Sequence, residues 1–246
     1  MKLHRFYNDI PINNNKNIMI SSPMLFNQMR NVLHFSIGDK VVIFDNSGFD
    51  FIATVDKYEK DIVYLKIIEK IENNVKTSRE TYLFSSILKK SNFDWVVEKA
   101  TELGVLHIVP IISDRSEKKG LNKNRLQKII IEASEQSGRG ILPELHEMMD
   151  LKKAISNYSN VKSIAWDPKA PRFSEKDVCI DNEPKENLSD SGVVNNIIGA
   201  YIGPEGGWTE QELELFKKNN VPIYSLGPQI LRAETAVVAV ISRMVF

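Results

Sequence analysis

The residues best placed to do chemistry lie in "IGPEGGWTEQELELF", residues 202–216, where Gly203, Pro204, Glu205, Gly206 and Gly207 follow one another. Glycine permits positive φ and close approach of another group to the backbone, and proline stiffens the chain beside it. A phosphate cradle would need a P-loop lysine or GxGxxG spacing. Both are absent, and Glu205 puts negative charge where a phosphate would lie. The loop suits an uncharged or cationic ligand, and the bland alternative is a tight turn with awkward dihedrals. A second stretch, "SLGPQILRAETAVVAV" (225–240), repeats the Gly-Pro pair at Gly227-Pro228 ahead of a helix. Leu226, Ile230 and Leu231 would give apolar surface there, and Arg232, Glu234 and Thr235 polar groups. Arg232 and Glu234 could equally pair with each other or cap the helix.

These loops need elements to hold them. "NIIGAYIG" (196–203) reads as a strand running into the first loop. Thr209 and Glu212 have capping-box spacing, and Trp208 can staple to Leu213, so a well-specified helix follows. "VPIYSLG" (221–227) and "RAETAVVAVISRMVF" repeat the strand–loop–helix pattern. Upstream, strands at 81–88, 105–112 and 161–167 alternate with helices at 91–104, 124–138 and 151–158, the first two closed by Gly104 and Gly138. Such alternation predicts a largely parallel α/β sheet, with both glycine loops at its carboxyl edge. Residues 1 to about 72 differ: "GDKVVIFDNSGFDFIATVD" is a hairpin pattern around Asp45–Gly48, followed by a strand at 62–71, which suggests a small barrel or sandwich. The polar, acidic segment 175–192 reads as an exposed loop.

Composition narrows the classes. Lys plus Arg and Asp plus Glu both number 32, so no global field draws nucleic acid and any such site must be a local patch. Residues 113–140 hold seven Lys/Arg against four acids, a candidate patch, although several of these lysines could simply form a solvated helix face. The single cysteine, Cys179, excludes an intrachain disulfide and fits a reducing cytoplasm. His4, His34, His107 and His146 are scattered without metal-ligand spacing, so no metal site is expected. No run is apolar enough for a signal peptide or a membrane span.

"RFY", "GDKVVIFDNSG", "KKSNFDWVVEKATELGV", "IVPIISDRS", "IEASEQSGR", "IGPEGGWTEQE" and "LGPQILRAETA", in that order, resemble the blocks of the RsmE family. These are ribosomal RNA methyltransferases of the SPOUT superfamily that methylate uridine N3 in small-subunit (16S) RNA. The blocks cover most of the chain; "NVLHF" departs by placing His34 where the family usually has an arginine. The resemblance implies an N-terminal PUA-like β-barrel for RNA over 1–72 and a trefoil-knotted SPOUT methyltransferase domain over 73–246. It implies S-adenosyl-L-methionine as cofactor, 16S ribosomal RNA in the small subunit as partner, and a homodimer, while the cytoplasmic location is expected from the cysteine usage above. Ile202, Gly203, Pro204, Glu205, Gly206, Gly207, Leu226, Gly227, Ile230, Leu231, Thr235 and Ala236 become the expected cofactor-binding residues. Arg232 becomes the candidate for stabilising the uridine anion, with Glu205 and Glu234 as candidates for base or positioning. Arg5, Lys89, Lys90, Arg115 and Arg139 become the expected RNA contacts. The competing readings are a methyltransferase acting on another RNA or position, and a catalytically silent RNA-binding module. A nucleotide-binding enzyme is disfavoured by the missing fingerprints.

Overall fold

The computed structural model describes residues 3–13, 15–75, 77, 79–89, 91–116, 120–174 and 197–246. The expected 175–192 loop, Cys179 and Lys90 lie outside the described residues. The chain forms two compact units, one of residues 1–76 with 131–142, the other of 77–130 with 143–246.

In the first unit, β1 (Arg5–Tyr7), β2 (Asn17–Ile20), β3 (Lys40–Phe44), β4 (Phe49–Glu59) and β5 (Ile62–Glu72) pair in the order β1-β3-β4-β5-β2. The β3–β4 hairpin turns where the sequence predicts. Asn46 and Gly48 take the positive φ the turn requires, at 68° and 81°, and Asp45 Oδ1 accepts from the Ser47 amide. A short helix, α1 (Pro23–Asn27), closes over the sheet, capped by Ser22. Phe6, Ile20, Leu25, Met29, Ile43, Phe51, Val55 and Leu65 form the core. Against the expected closed barrel, β1 and β2 share no ladder among the described residues, so the sheet is open there.

Residues 131–142 join this unit through side-chain bonds that periodicity cannot foresee. The Tyr7 amide donates to Glu135 Oε1 (2.9 Å), Asn73 Nδ2 to the Gly138 carbonyl (2.9 Å) and the Leu142 amide to Asn46 Oδ1 (2.6 Å). Burial pushes the Glu135 carboxyl up to about 7.

The second unit is a parallel sheet. Its strands are β6 (Glu80–Ser86), β7 (His107–Ile112), β8 (Glu144–Leu145), β9 (Met149–Asp150), β10 (Lys162–Trp166), β11 (Ile197–Ile202) and β12 (Ile223–Tyr224). The order is β12-β10-β11-β6-β7-β8, with β9 also on β7. The helices are α2 (Ser91–Glu102), α4 (Leu151–Asn157), α5 (Glu210–Lys218) and α6 (Ala233–Val245), with the first half of α3 (Lys123–Ser137), whose residues from 131 on belong to the first unit. The apolar stripe predicted for α2 is buried at Phe93, Val96, Val97 and Ala100. Strands β8 and β9 are too short to carry a periodic signal. The chain runs from β6 outward through β7 and β8, then returns to the other side of β6, so the direction of strand addition reverses beside β6. In parallel sheets ligands bind at the carboxyl ends of strands at such a point.

Candidate active site

The carboxyl ends of β6, β10, β11 and β12 enclose a cavity of about 440 Å³. That is within the usual range for a small-molecule site. Each strand contributes the residues just beyond its end: Lys89 and Asn92 after β6, Trp166 to Pro168 at β10, Ile202 to Glu205 with Gly207 and Trp208 at β11, and Leu226, Gly227 and Gln229 to Arg232 after β12. Ala233, Glu234 and Ala236 complete the wall from the first turn of α6.

The first glycine loop is held largely by its own neighbours. A Cβ at position 203 would come within 3.1 Å of the Trp208 ring. That ring is buried, packs edge-on against Phe216 at 5.1 Å, and donates through Nε1 to the Trp166 carbonyl at 3.1 Å. Trp208 thus turns inward to brace the loop. A Cβ at position 206 would sit 3.2 Å from the Arg115 side chain, whose Nη1 donates to the carbonyls of Gly206 (2.7 Å) and Trp208 (3.2 Å). Gly207 has φ 68° with open space around it, and its amide closes a turn on Pro204 O at 2.8 Å. A side chain at 203 or 206 would therefore crowd the protein's own Trp208 or Arg115, which would have to yield by a few tenths of an ångström, and at 207 it is disfavoured by backbone conformation.

Both halves of the Thr209–Glu212 capping box are present. Glu212 does more than cap: Oε1 accepts from the Asp114 amide at 3.0 Å, while Thr209 Oγ1 donates to Asp114 Oδ2 at 3.0 Å. The turn after β7 and the start of α5 are thereby tied together beneath the loop. On the cavity side Glu205 Oε1 accepts from the Lys89 amide at 3.1 Å, joining the β11 and β6 loops.

The second loop is built otherwise. Gly227 has φ 149°, and Ile230 is 86% exposed. Arg232 occupies the N-cap of α6 in extended conformation, without a side-chain capping bond. The pairing of Arg232 with Glu234 that the sequence left open does not form among the described residues. Glu234 Oε2 is buried with no hydrogen-bond partner among them. A buried carboxylate oxygen in that condition is costly unless a donor or cation arrives.

The model of the RNA methyltransferase domain family matches residues 75–245. A ribosomal RNA small subunit methyltransferase E from Rickettsia conorii is 28% identical over 99% of this chain and 96% of its own. One from Buchnera aphidicola subsp. Acyrthosiphon pisum is 30% identical over 87% and 81%. The chain belongs to the RsmE family. A crystal structure of the Neisseria gonorrhoeae ribosomal RNA small subunit methyltransferase E, bound to S-adenosyl methionine, superposes with a TM-score of 0.84 at 26% identity, covering 99% of this chain and 97% of that one. The second unit accordingly has the α/β fold of the RsmE methyltransferases.

Within this RsmE chain the expected site residues divide. Ile202, Gly203, Pro204, Glu205, Gly207, Leu226, Gly227, Ile230, Leu231 and Ala236 line the cavity with Arg232 and Glu234; Gly206 and Thr235 are not among its lining residues. Trp166, Asp167, Asn92, Trp208 and Gln229 line it without having been expected. The signal for the first two was "WDP" closing a strand at the same sheet edge. Lys89, expected as an RNA contact, lines the cavity. Arg115 commits Nη1 to the loop carbonyls.

Arg139 is 4% exposed, donates through Nε to Ile141 O at 3.1 Å, and is pushed down to about 10 by burial. Arg5 is enclosed as well. It forms a two-armed ion pair with Asp50, donates from Nη2 to the Arg139 carbonyl at 3.0 Å, and lies over the Phe44 ring. Both guanidinium groups, expected as RNA contacts, are thus engaged by partners within the first unit.

Proposed function

We propose that this chain transfers a methyl group from S-adenosyl-L-methionine to uridine N3 in small-subunit (16S) ribosomal RNA. The observation that carries the reading is the cavity between the two Gly-Pro loops, walled by Glu205, Arg232 and Glu234 and by apolar surface from Leu226, Ile230 and Leu231. Its donor set fits a cationic, partly apolar cofactor. The unpartnered Glu234 Oε2 suits positive charge, and no lysine stands as a phosphate anchor in either glycine loop. When bound, S-adenosylmethionine supplies an activated methyl group on a sulfonium centre.

The chain's own residues then have separable tasks. The backbone of 202–207 and the 226–231 loop hold and orient the cofactor, which is the larger share of a group transfer that needs in-line geometry. The imide proton of uridine must leave N3 for solvent water, and negative charge develops on N3 and the flanking oxygens before N3 takes the methyl group. Arg232, at the cavity rim and without an ion-pair partner among the described residues, stabilises that charge. Glu234 balances the cofactor's cation. Glu205, bonded to the Lys89 amide, positions the loops rather than taking the proton. N3 lies on the Watson–Crick edge, so the base must be unpaired or flipped to react.

The same reading includes a trefoil knot formed by the loops after β11 and β12, a PUA-like RNA-binding role for the first unit, a homodimer and a cytoplasmic location. It is supported by the family membership, by the convergence of both loops on one cavity, and, for location, by the ribosomal substrate. Among the described residues no helix is long and apolar enough to cross a membrane. The test is methyl transfer from labelled S-adenosylmethionine to small ribosomal subunits lacking the modification, followed by mass mapping of nucleosides. N3-methyluridine is expected. Transfer to another position or another RNA would replace the substrate assignment. Cofactor binding without transfer to any RNA would overturn the enzymatic reading.

A further inference from the structure

At the opposite edge of the parallel sheet, where the strands begin, His107 meets two groups that lie nearly forty positions further along the chain. β7 and β8 pair with His107 opposite Glu144, and the His146 amide continues the ladder by donating to Ile108 O at 2.9 Å. Glu144 and His146 are two residues apart and so project to the same face. His107 Nδ1 lies 3.0 Å from His146 Nε2, and Glu144 Oε2 lies 3.5 Å from His107 Nδ1. One ligand atom from each of the three falls within 4.8 Å of the others. We propose that His107, Glu144 and His146 form a binding site for a first-row divalent transition ion of the zinc or cobalt type.

The geometry favours a metal over a mere cluster of polar groups. Two nitrogens bound tetrahedrally at about 2.0–2.1 Å stand about 3.3 Å apart, close to the separation already present between the two rings. Two imidazoles and a carboxylate are the donor set that borderline divalent ions prefer, leaving a fourth position for water.

Each histidine also has the outer partner that orients a metal ligand. His107 Nε2 is 3.1 Å from Glu80 Oε1, a carboxylate–histidine pair, and Tyr158 Oη is 3.1 Å from His146 Nδ1. The Tyr82 ring stacks on His107 at 4.0 Å and fixes its plane, while Tyr82 Oη donates to Glu80 at 3.0 Å. Without metal, one set of tautomers satisfies the whole chain: Tyr158 O–H to His146 Nδ1, His146 Nε2–H to His107 Nδ1, and His107 Nε2–H to Glu80. Metal would take the place of the proton between the rings. His146 would then carry its proton on Nδ1 and donate it to the Tyr158 oxygen, and the part-exposed Tyr158 hydroxyl would turn its own proton to solvent.

The test is titration of chelator-treated full-length protein with Co²⁺, followed by visible absorption, and with Zn²⁺, followed by calorimetry and thermal unfolding. One saturable equivalent per chain is expected, with a rise in the unfolding midpoint. Glu144→Gln changes an exposed side chain and spares the stacked core. It is expected to weaken binding at least tenfold and to abolish the midpoint rise. His146→Gln should remove the Co²⁺ absorption, and Glu80→Gln should weaken affinity by about 10–100-fold. Absence of saturable binding up to millimolar metal overturns the proposal, as does binding that Glu144→Gln leaves unchanged.

Discussion

The two loops that face each other across the cavity share a Gly-Pro pair and a following helix, yet they are built by opposite means. The loop at 203–207 is braced from within by the Trp208 ring under Gly203, the Arg115 fork on two carbonyls, and Glu212 tied back to Asp114. The loop at 226–232 has an exposed apolar tip at Ile230 and an arginine N-cap that makes no capping bond. The contrast teaches that glycine content alone does not mark a ligand contact. In the first loop two glycines make room for the protein's own side chains, producing a fixed wall. The second leaves its side chains to whatever occupies the cavity.

Substitutions can break that contrast. The largest effect is expected for Trp208→Ala, which removes a buried ring and the brace together. A loss of about 3–5 kcal/mol in unfolding free energy, measured by denaturant titration, is expected together with lost cofactor binding. Arg232→Ala lies on the other wall and should behave inversely. Turnover should fall about 10²–10³-fold in single-turnover assays, with unfolding midpoint and calorimetric cofactor affinity nearly unchanged. Normal turnover in this variant would remove Arg232 from the chemistry. Arg115→Ala should cost about 1.5 kcal/mol of stability, at the low end for charged hydrogen bonds because the side chain is exposed, and should weaken cofactor binding more than it slows methyl transfer.

The smallest effect sharpens the same distinction in the other unit, where a group held inside the fold should register in stability and not in turnover. Glu135 has its carboxyl raised to about 7 chiefly by burial. Between the unfolded value near 4.5 and about 7 the folded state binds the extra proton, so stability contributed by the protonated form is lost as pH rises through that window. Glu135→Gln, which keeps an acceptor for the Tyr7 amide, should raise stability by about 1 kcal/mol at pH 8, discounting for partial exposure, and change little at pH 4. Parallel melts at the two pH values check this.

Local patterns were legible in the sequence. The capping box at Thr209 and Glu212, the stripe of α2, the hairpin turn at Asp45–Gly48 and the two Gly-Pro loops all depend on residues a few positions apart, where period and turn chemistry act. Features set by strand register were not. Arg115 reaches Gly206 across 91 positions, and His107 meets His146 across 39. Nothing along the chain marks either pair. The enclosure of Arg5 and Arg139 was hidden for the same reason: a basic residue shows its charge in the sequence, but its burial is decided by the segment that covers it. Trp166 and Asp167 escaped because a strand end becomes a site residue only once the neighbouring strand ends are known.

The most direct test is hydrogen exchange along both loops with and without S-adenosylmethionine. Slow exchange at Gly207 and Thr209 in the free protein is expected, because both amides are already bonded. Fast exchange over 226–232 that slows on adding cofactor is expected beside it. Equal, rapid exchange of both loops in the free protein would contradict the contrast between them, and a 226–232 loop indifferent to cofactor would contradict its place in the binding site.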